Sequence, residues 1–481
     1  MIFQKILLSF CFYFFLILPV FSQNIPDSGI TVTGSNLHIR NIIIKGNKKT
    51  KFYIIEREMH LKRDDSIPAI HLKEELEHSR QFIYNTTLFT EVKIEALFIN
   101  AFDIDILVEV KERWYIFPVP QFQLIDRNLN DWIKTFGASL SRVNYGLKFV
   151  HYNLSGRKDQ LRIYLLNGYS RNFSFGYTAP YSNKALTEGF TVGAGFTQNR
   201  EISYKTSFNN KVLFYKNDSS SNKLGDFVRN SFNVNAAYTI RKGFYKKHFI
   251  FANYNYLKVD DSVISSRYNP NYFNSPASKK GFVDLTYSFQ YLDLNNVAYA
   301  LKGFTASYSV SKRGLGFTGG INALTLSGSL SKFYDMGKNW YSSFQLAANI
   351  KFPLRQAYIN QRGLGYGETY LRGLEYYVID GVANALAKST LKYKLVQFKI
   401  PVPFKIKSIP NIPVTIFAKT FGDLGYSYIQ KEFRASLNNR LLYTGGFGVD
   451  ILTLYDINLR LEYSFNQLGE KGLFLHTQGG F

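Results

Sequence analysis

Apolar and polar residues alternate with a period of two along most of this chain. Phe173, Phe175 and Tyr177 alternate with Ser174, Gly176 and Thr178. Phe232, Val234, Ala236, Tyr238 and Ile240 stand against Asn233, Asn235, Ala237, Thr239 and Arg241, and Leu285, Tyr287, Phe289 and Tyr291 against Thr286, Ser288 and Gln290. The pattern returns in Phe304 to Ser311. It returns again in Ile457 to Phe465, where Asn458, Arg460, Glu462 and Ser464 form the polar set. Successive side chains of a strand point to opposite faces, so each segment has one greasy and one wet side. A soluble β-sandwich would show the same alternation. The number of segments, the aromatic content and the charged members of the wet face favour a membrane barrel, whose outer face meets lipid and whose lumen holds water. Closure also removes unpaired strand edges, which lipid cannot solvate. The region 113–481 has room for sixteen antiparallel strands at roughly 23 residues per strand and connection; fourteen or eighteen also fit.

Residues 36–112 mix two periods. His38 to Lys45 reads as a strand ended by Gly46-Asn47. Thr50 is placed to cap a helix through Ile54, Ile55 and Met59, and Leu72, Leu76 and Ile83 lie at near-helical spacing over about Ile70 to Tyr84. Pro68 falls in the connection between the two helices. Two strands follow, Thr90 to Phe98 and Phe102 to Lys111. In the second, Ile104, Ile106, Val108 and Val110 share one face. The order β-α-α-β-β over about 75 residues predicts one small α+β domain with a marginal core.

The N-terminus adds a compartment. Lys5 precedes an almost wholly apolar run from Ile6 to Phe21, and Val20-Phe21-Ser22 offers a cleavage site before Gln23. This reads as a secretory signal peptide over 1–22, with a linker over 23–35. The alternative is an uncleaved anchor, for which about sixteen apolar residues are short. Cys11 is the only cysteine and lies within that run, so the mature chain is expected to have no disulfide and no zinc–cysteine site. No second stretch approaches eighteen apolar residues, which excludes further helical spans. Aromatic residues are 17% of the chain, high enough to suit a lipid-facing barrel surface. The formal charge of +23 is scattered rather than clustered. On an exported chain it suits a basic lumen and loops facing anionic lipid head groups better than nucleic acid.

Catalytic patterns are weak, and the chain reads as not an enzyme, with no cofactor and no metal. His71, Glu74, Glu75 and His78 share the second predicted helix, but the histidines are seven apart rather than four, which suits a solvated helix face. Gly363-Leu364-Gly365-Tyr366-Gly367 and Gly314-Leu315-Gly316 lack the strand–helix setting of a phosphate loop and read as turns.

Several short motifs, taken in order, resemble a known family. Ile42 to Ile44, Gly46-Asn47, Thr50, Ile55, Arg57-Glu58-Met59, Asp65 and Asn85-Thr86-Thr87-Leu88-Phe89 before Val92 resemble a POTRA domain. Asn153-Leu154-Ser155-Gly156-Arg157 looks like an early-strand segment of the BamA/TamA superfamily of outer-membrane insertases and translocators. Leu371-Arg372-Gly373-Leu374 is similar to that superfamily's VRGF/Y loop motif, Phe421-Gly422-Asp423-Leu424-Gly425 to its F-x-D-x-G strand motif, and Phe481 to the terminal residue of many outer-membrane barrels. The resemblance implies that the loop folds into the lumen and that Arg372 pairs with Asp423 on the wall, an arginine fork meeting a carboxylate. Leu374 departs from the family's aromatic residue, which bears on packing at the loop tip.

The resemblance also implies how the parts act. The POTRA domain would capture client chains by strand addition. A weak seam between the first strand, near Trp114 to Leu124, and the last, Leu473 to Phe481, would admit a strand, with Gly479-Gly480 loosening it. The expected function is assembly of outer-membrane proteins. The alternatives are a dedicated polypeptide translocator and, ranked last, a diffusion porin. Expected partners are unfolded outer-membrane or secreted polypeptides, outer-membrane lipid and accessory lipoproteins or other periplasmic factors. The expected place is the bacterial outer membrane, with the N-terminal domain in the periplasm.

Overall fold

A computed structural model describes residues 36–124, 139–217, 226–315, 321–367, 369–401 and 411–478. The signal-peptide and linker expectations and Phe481 with Gly479-Gly480 lie outside the described residues. The N-terminal region runs β1 (Asn36–Lys45), α1 (Phe52–Glu56), β2 (Ser66–Pro68), a 3-10 turn (Ala69–His71), α2 (Leu72–Tyr84), β3 (Phe89–Phe98) and β4 (Asp103–Glu112). Its sheet has the order β2-β1-β4-β3, with β1 and β4 parallel. The alternating set Ile104, Ile106 and Val108 on β4 is fully buried and packs with Ile39, Ile54, Ile55, Met59, Ile83 and Phe89.

Two expectations fail here. Pro68 is not in a plain connection: Ser66–Pro68 forms an extra edge strand on β1, so the order is β-α-β-α-β-β. Proline is tolerated at such an edge. Thr50 does not cap α1, whose N-cap is Lys51 without a side-chain bond. The Thr50 hydroxyl instead accepts from Asn153 Nδ2 at 2.9 Å and meets Tyr115 Oη at 3.1 Å.

The remaining strands are β5 (Ile116–Leu124), β6 (Val143–Tyr152), β7 (Gln160–Gly168), β8 (Arg171–Ala179), β9 (Glu188–Asn199), β10 (Glu201–Thr206), β11 (Val212–Lys216), β12 (Arg229–Ile240), β13 (Lys246–Val259), β14 (Lys279–Leu294), β15 (Gly303–Arg313), β16 (Ala323–Gly337), β17 (Trp340–Phe352), β18 (Ala383–Pro401), β19 (Asn411–Tyr428), β20 (Leu441–Leu452), β21 (Asn458–Asn466) and β22 (Lys471–Gln478). β10 and β11 form a separate hairpin, and the other sixteen make one antiparallel sheet in sequence order from β5 to β22. The apolar set of each strand faces outward: Phe175, Ile250, Tyr308, Leu461 and Leu475 are all exposed. A soluble sandwich would bury that face. Turned toward solvent on a sixteen-stranded sheet, it is the lipid-facing belt of a barrel.

Turns at one end of the barrel gather on the N-terminal region. Lys51 donates its backbone N–H to Gly156 O at 3.0 Å. Asn85 donates to Leu294 O at 2.7 Å and accepts from the Val297 N–H at 3.0 Å. His60 and Phe82 pack at a tilt against Phe244, with ring centroids 4.3 and 5.0 Å apart. The centre of this contact is a buried ion pair. Arg241 Nη2 donates to Glu58 Oε2 at 2.8 Å, and Tyr181 Oη donates to Glu58 Oε1 at 2.6 Å. Arg57 donates to Leu186 O at 2.9 Å and Gly243 O at 3.0 Å. Arg57-Glu58-Met59 therefore divides its work: Met59 fills the domain core and the two charged residues dock the domain.

Burial alone would raise the Glu58 carboxyl, but the charge and hydrogen bonds of Arg241 outweigh it and hold the group at about 2, against an ordinary 4.5. A depressed carboxylate contributes stability above its unfolded pKa and loses it as pH falls through the folded one. Amide-exchange protection of residues 180–187 and 241–245 should therefore hold at pH 5 and decay between about pH 4.5 and pH 2. Arg241→Ala should undock the domain at neutral pH, at a cost of roughly 3–5 kcal/mol, because Glu58 would be left buried without its partner. Rapid proteolysis of the domain would report this; unchanged protection in Arg241→Ala would show that other contacts hold the dock.

Candidate functional site

The segment 353–382 between β17 and β18 packs on the inner wall formed by β18 to β21. After a 3-10 turn at Tyr358–Asn360 it bends at Gly365 and Gly367, both at positive φ. Leu371 and Leu374 are almost fully buried with Leu364, Ile379, Leu386, Leu437 and Leu442. Leu374, which stands where the resembling loop motif has an aromatic residue, is thus packed inside an aliphatic cluster. A Cβ at Gly425 would stand 2.8 Å from Leu371 Cδ1, so a glycine on β19 is what lets the loop lie so close. Gly373 has φ +93°, which turns the chain immediately after Arg372.

Arg372 is the anchor. Its backbone N–H donates to Asp423 Oδ2 at 3.0 Å and its Nε to the same oxygen at 2.9 Å, while Nη2 engages Asp423 Oδ1. Nη1 donates to Thr390 Oγ1 at 3.0 Å, Nη2 also reaches Ser389 O at 3.3 Å, and the guanidinium lies 4.0 Å over the Phe421 ring. Asp423 is 1% exposed. A bidentate pair at that depth, with further bonds to hydroxyl and carbonyl and a ring beneath, holds the loop in one geometry. The structure thus brings Leu371, Arg372, Gly373, Leu374, Phe421, Asp423 and Gly425 into one patch. Asn153 to Arg157 lies elsewhere, in the turn after β6 that meets the N-terminal region.

Beside this patch lies a polar network that the motifs did not indicate. Lys392 and Lys419 face each other across β18 and β19, an arrangement of like charges that is unfavourable alone. Asp450 offsets it by pairing with Lys419 and standing 3.5 Å from Lys392. Lys419 also reaches Glu462 at 2.6 Å, and Tyr299, carried in by the turn after β14, donates to Asp450 at 2.8 Å. Arg372, Lys388, Lys392, Lys419 and Arg460 line the adjoining cavity with only Asp450 and Glu462 as acids, so it is basic. Arg460 and Glu462 were legible as wet-face residues of β21; their partners on other strands depend on register and were not. On the N-terminal region, His60 accounts for what the helix spacing left out: its Nδ1 lies 3.1 Å from Glu75 Oε2 and its ring 5.6 Å from that of His78.

No family model and no curated protein matches the sequence. Among solved structures, the chain is similar to BamA from Haemophilus ducreyi lacking POTRA domains 1-3, at 15% identity and a TM-score of 0.51, covering 94% of this chain and 85% of that one. It is also similar to CdiB from Escherichia coli, at 10% identity and a TM-score of 0.50, covering 94% of this chain and 92% of that one. At these identities the likeness establishes the fold: a BamA-like barrel of sixteen antiparallel strands behind a small α+β region.

Arg372→Ala and Asp423→Ala should each destabilise the loop by roughly 3–5 kcal/mol, since each leaves a buried charge unpaired. The double variant should cost little more than either single one. Thermal unfolding of the detergent-solubilised protein measures all three; additive losses would mean that the two residues act independently.

Proposed function

We propose that this chain is a non-enzymatic outer-membrane protein of the BamA/TamA type that inserts client polypeptides at the seam between β5 and β22. The observation that carries the reading is the direction of the β5 donors. Tyr152 donates its backbone N–H to Tyr115 O at 2.8 Å, and Ile116 lies opposite His151. Tyr115, Phe117 and Val119 therefore occupy the hydrogen-bonded positions toward β6, because such positions alternate along an antiparallel pair. Pro118 and Pro120 fall between them, with their nitrogens turned to the other edge of β5. Neither carries a donor. β5 and β22 are the two end strands of the ladder among the described residues. A carbonyl of a strand brought opposite either proline gains no bond from β5, and lipid supplies none. An incoming strand with a full set of donors would be preferred there.

At one end β5 and the residues before it are held to the turn between β20 and β21, next to the seam. Phe117 lies 6.0 Å from Tyr455 in an edge-to-face pair, and Arg113 donates to Asp456 at 2.7 Å. The opening would therefore widen away from this fixed end. The N-terminal region serves in this reading as a POTRA-type domain in the periplasm. Its sheet edges are β2, of only three residues, and β3, of ten. β3 is the longer edge for an extended client, whose backbone would add by hydrogen bonding.

A translocator that passes a secreted polypeptide through the lumen is the second reading, supported by the similarity to CdiB. The buried anchor of Arg372 favours the first, because a lumen route requires that loop to leave its wall. Depletion followed by quantitative proteomics of outer membrane and medium separates them. Broad loss of barrel proteins from the membrane is the expected outcome; loss of one secreted protein with an unchanged membrane would replace the insertase with the translocator. Within the seam, Pro118→Ala combined with Pro120→Ala restores two donors. Client insertion should slow about tenfold or more, each bond being worth about 1 kcal/mol. Unaltered insertion in that variant would remove the seam from the mechanism.

A further inference from the structure

Glu375 of the lumen loop, Glu462 of β21 and His476 of β22 converge on one point. His476 Nε2 stands 3.4 Å from Glu375 Oε1 and 3.4 Å from Glu462 Oε2. All three atoms are buried and none makes a hydrogen bond. The Glu462 side chain is 2% exposed. Each carboxylate is steadied through its other oxygen: Glu375 Oε2 accepts the Gly373 N–H at 2.7 Å, and Glu462 Oε1 pairs with Lys419 at 2.6 Å. The Tyr370 ring stacks on the imidazole at 5.5 Å.

The spacing is long for a charge-assisted hydrogen bond, which runs at about 2.7–2.9 Å. It is the spacing of ligand atoms around a small divalent ion. Bonds of about 2.0–2.2 Å in tetrahedral geometry place neighbouring ligands about 3.4 Å apart. One imidazole and two carboxylates suit zinc and its first-row neighbours, and carboxylates fixed through the second oxygen are typical of a supported metal site. The nearby Lys419 is shared between Glu462 and Asp450, and engages Glu462 only through the oxygen turned away from His476.

We infer that Glu375, Glu462 and His476 form a binding site for a divalent transition-metal ion of the zinc class. Three protein ligands leave a fourth position for water. The ion joins the lumen loop, the penultimate strand and the last strand, so it fastens β22 from inside the barrel. This rests on the geometry of the three residues and stands whether or not the proposed insertase function holds.

The test uses the full chain in detergent, stripped with a chelator and titrated with Co2+, whose visible absorption reports tetrahedral coordination. One equivalent should bind and be displaced by Zn2+. Glu375→Gln and His476→Ala should weaken binding roughly tenfold or more. Heat-modifiable gel migration shows that these variants remain folded. Because His60, Glu75 and His78 also group on the N-terminal region, His60→Ala serves as a control and should leave the absorption intact. Three outcomes overturn the inference. One is no cobalt uptake by the unaltered chain. Another is uptake lost in His60→Ala but kept in His476→Ala. The last is exchange protection of β22 that follows pH and ignores metal, which would make His476 a plain imidazolium between two carboxylates.

Discussion

Lipid offers a backbone no hydrogen bonds, and most of this structure follows from that constraint. It requires a continuous ladder, and sixteen antiparallel strands supply one. It turns the apolar residue of each alternating pair outward, so that Phe175, Ile250 and Leu475 are exposed rather than buried. The polar residues must then fill the interior, where charges are costly unless paired. Arg372 with Asp423, Lys419 with Asp450 and Glu462, and Arg313 with Asp284 meet that requirement on the inner wall.

Much of the fold was readable because the period of two survives through most of the long strands, with a break such as that at Lys394 to Val396 in β18. The alternation of Phe232 to Ile240 and of Ile457 to Phe465 places each residue on its face without reference to any partner. What could not be read was whatever depends on a second segment. Ser66–Pro68 is too short to show a period, and it is a strand only because β1 lies beside it. Thr50 has the chemistry of a helix cap, but Asn153 and Tyr115 claim its hydroxyl from 103 and 65 residues away respectively, and no local rule anticipates that. Within the lumen patch, Arg372 and Asp423 could be paired through the family motif. Phe421 belonged to the same motif, but Thr390 beside the guanidinium is set by register, and Tyr299 against Asp450 by the turn after β14.

The N-terminal region and the lumen are joined by an unbroken series of contacts. Asn85 holds the turn after β14, that turn delivers Tyr299 to Asp450, and Asp450 shares Lys419 with Glu462. Glu462 and Glu375 both face His476 on the last strand. A domain at the mouth and an edge of the sheet are thus linked through side chains with few alternative partners. Basic residues concentrate where these contacts cross the cavity, so part of the chain's large positive charge is structural rather than a surface property.

The docking pair also sets an order of events during folding. Glu58 and Arg241 are 183 residues apart, and Arg113 and Asp456 are 343 apart. Contacts so distant in sequence form late, because the intervening chain must first lose its freedom. The N-terminal domain is made first but finds its seat only when the strands around β12 and β13 have assembled, and its final tether only when the turn before β21 arrives. Until those two turns are in place the domain has neither of its buried charge partners.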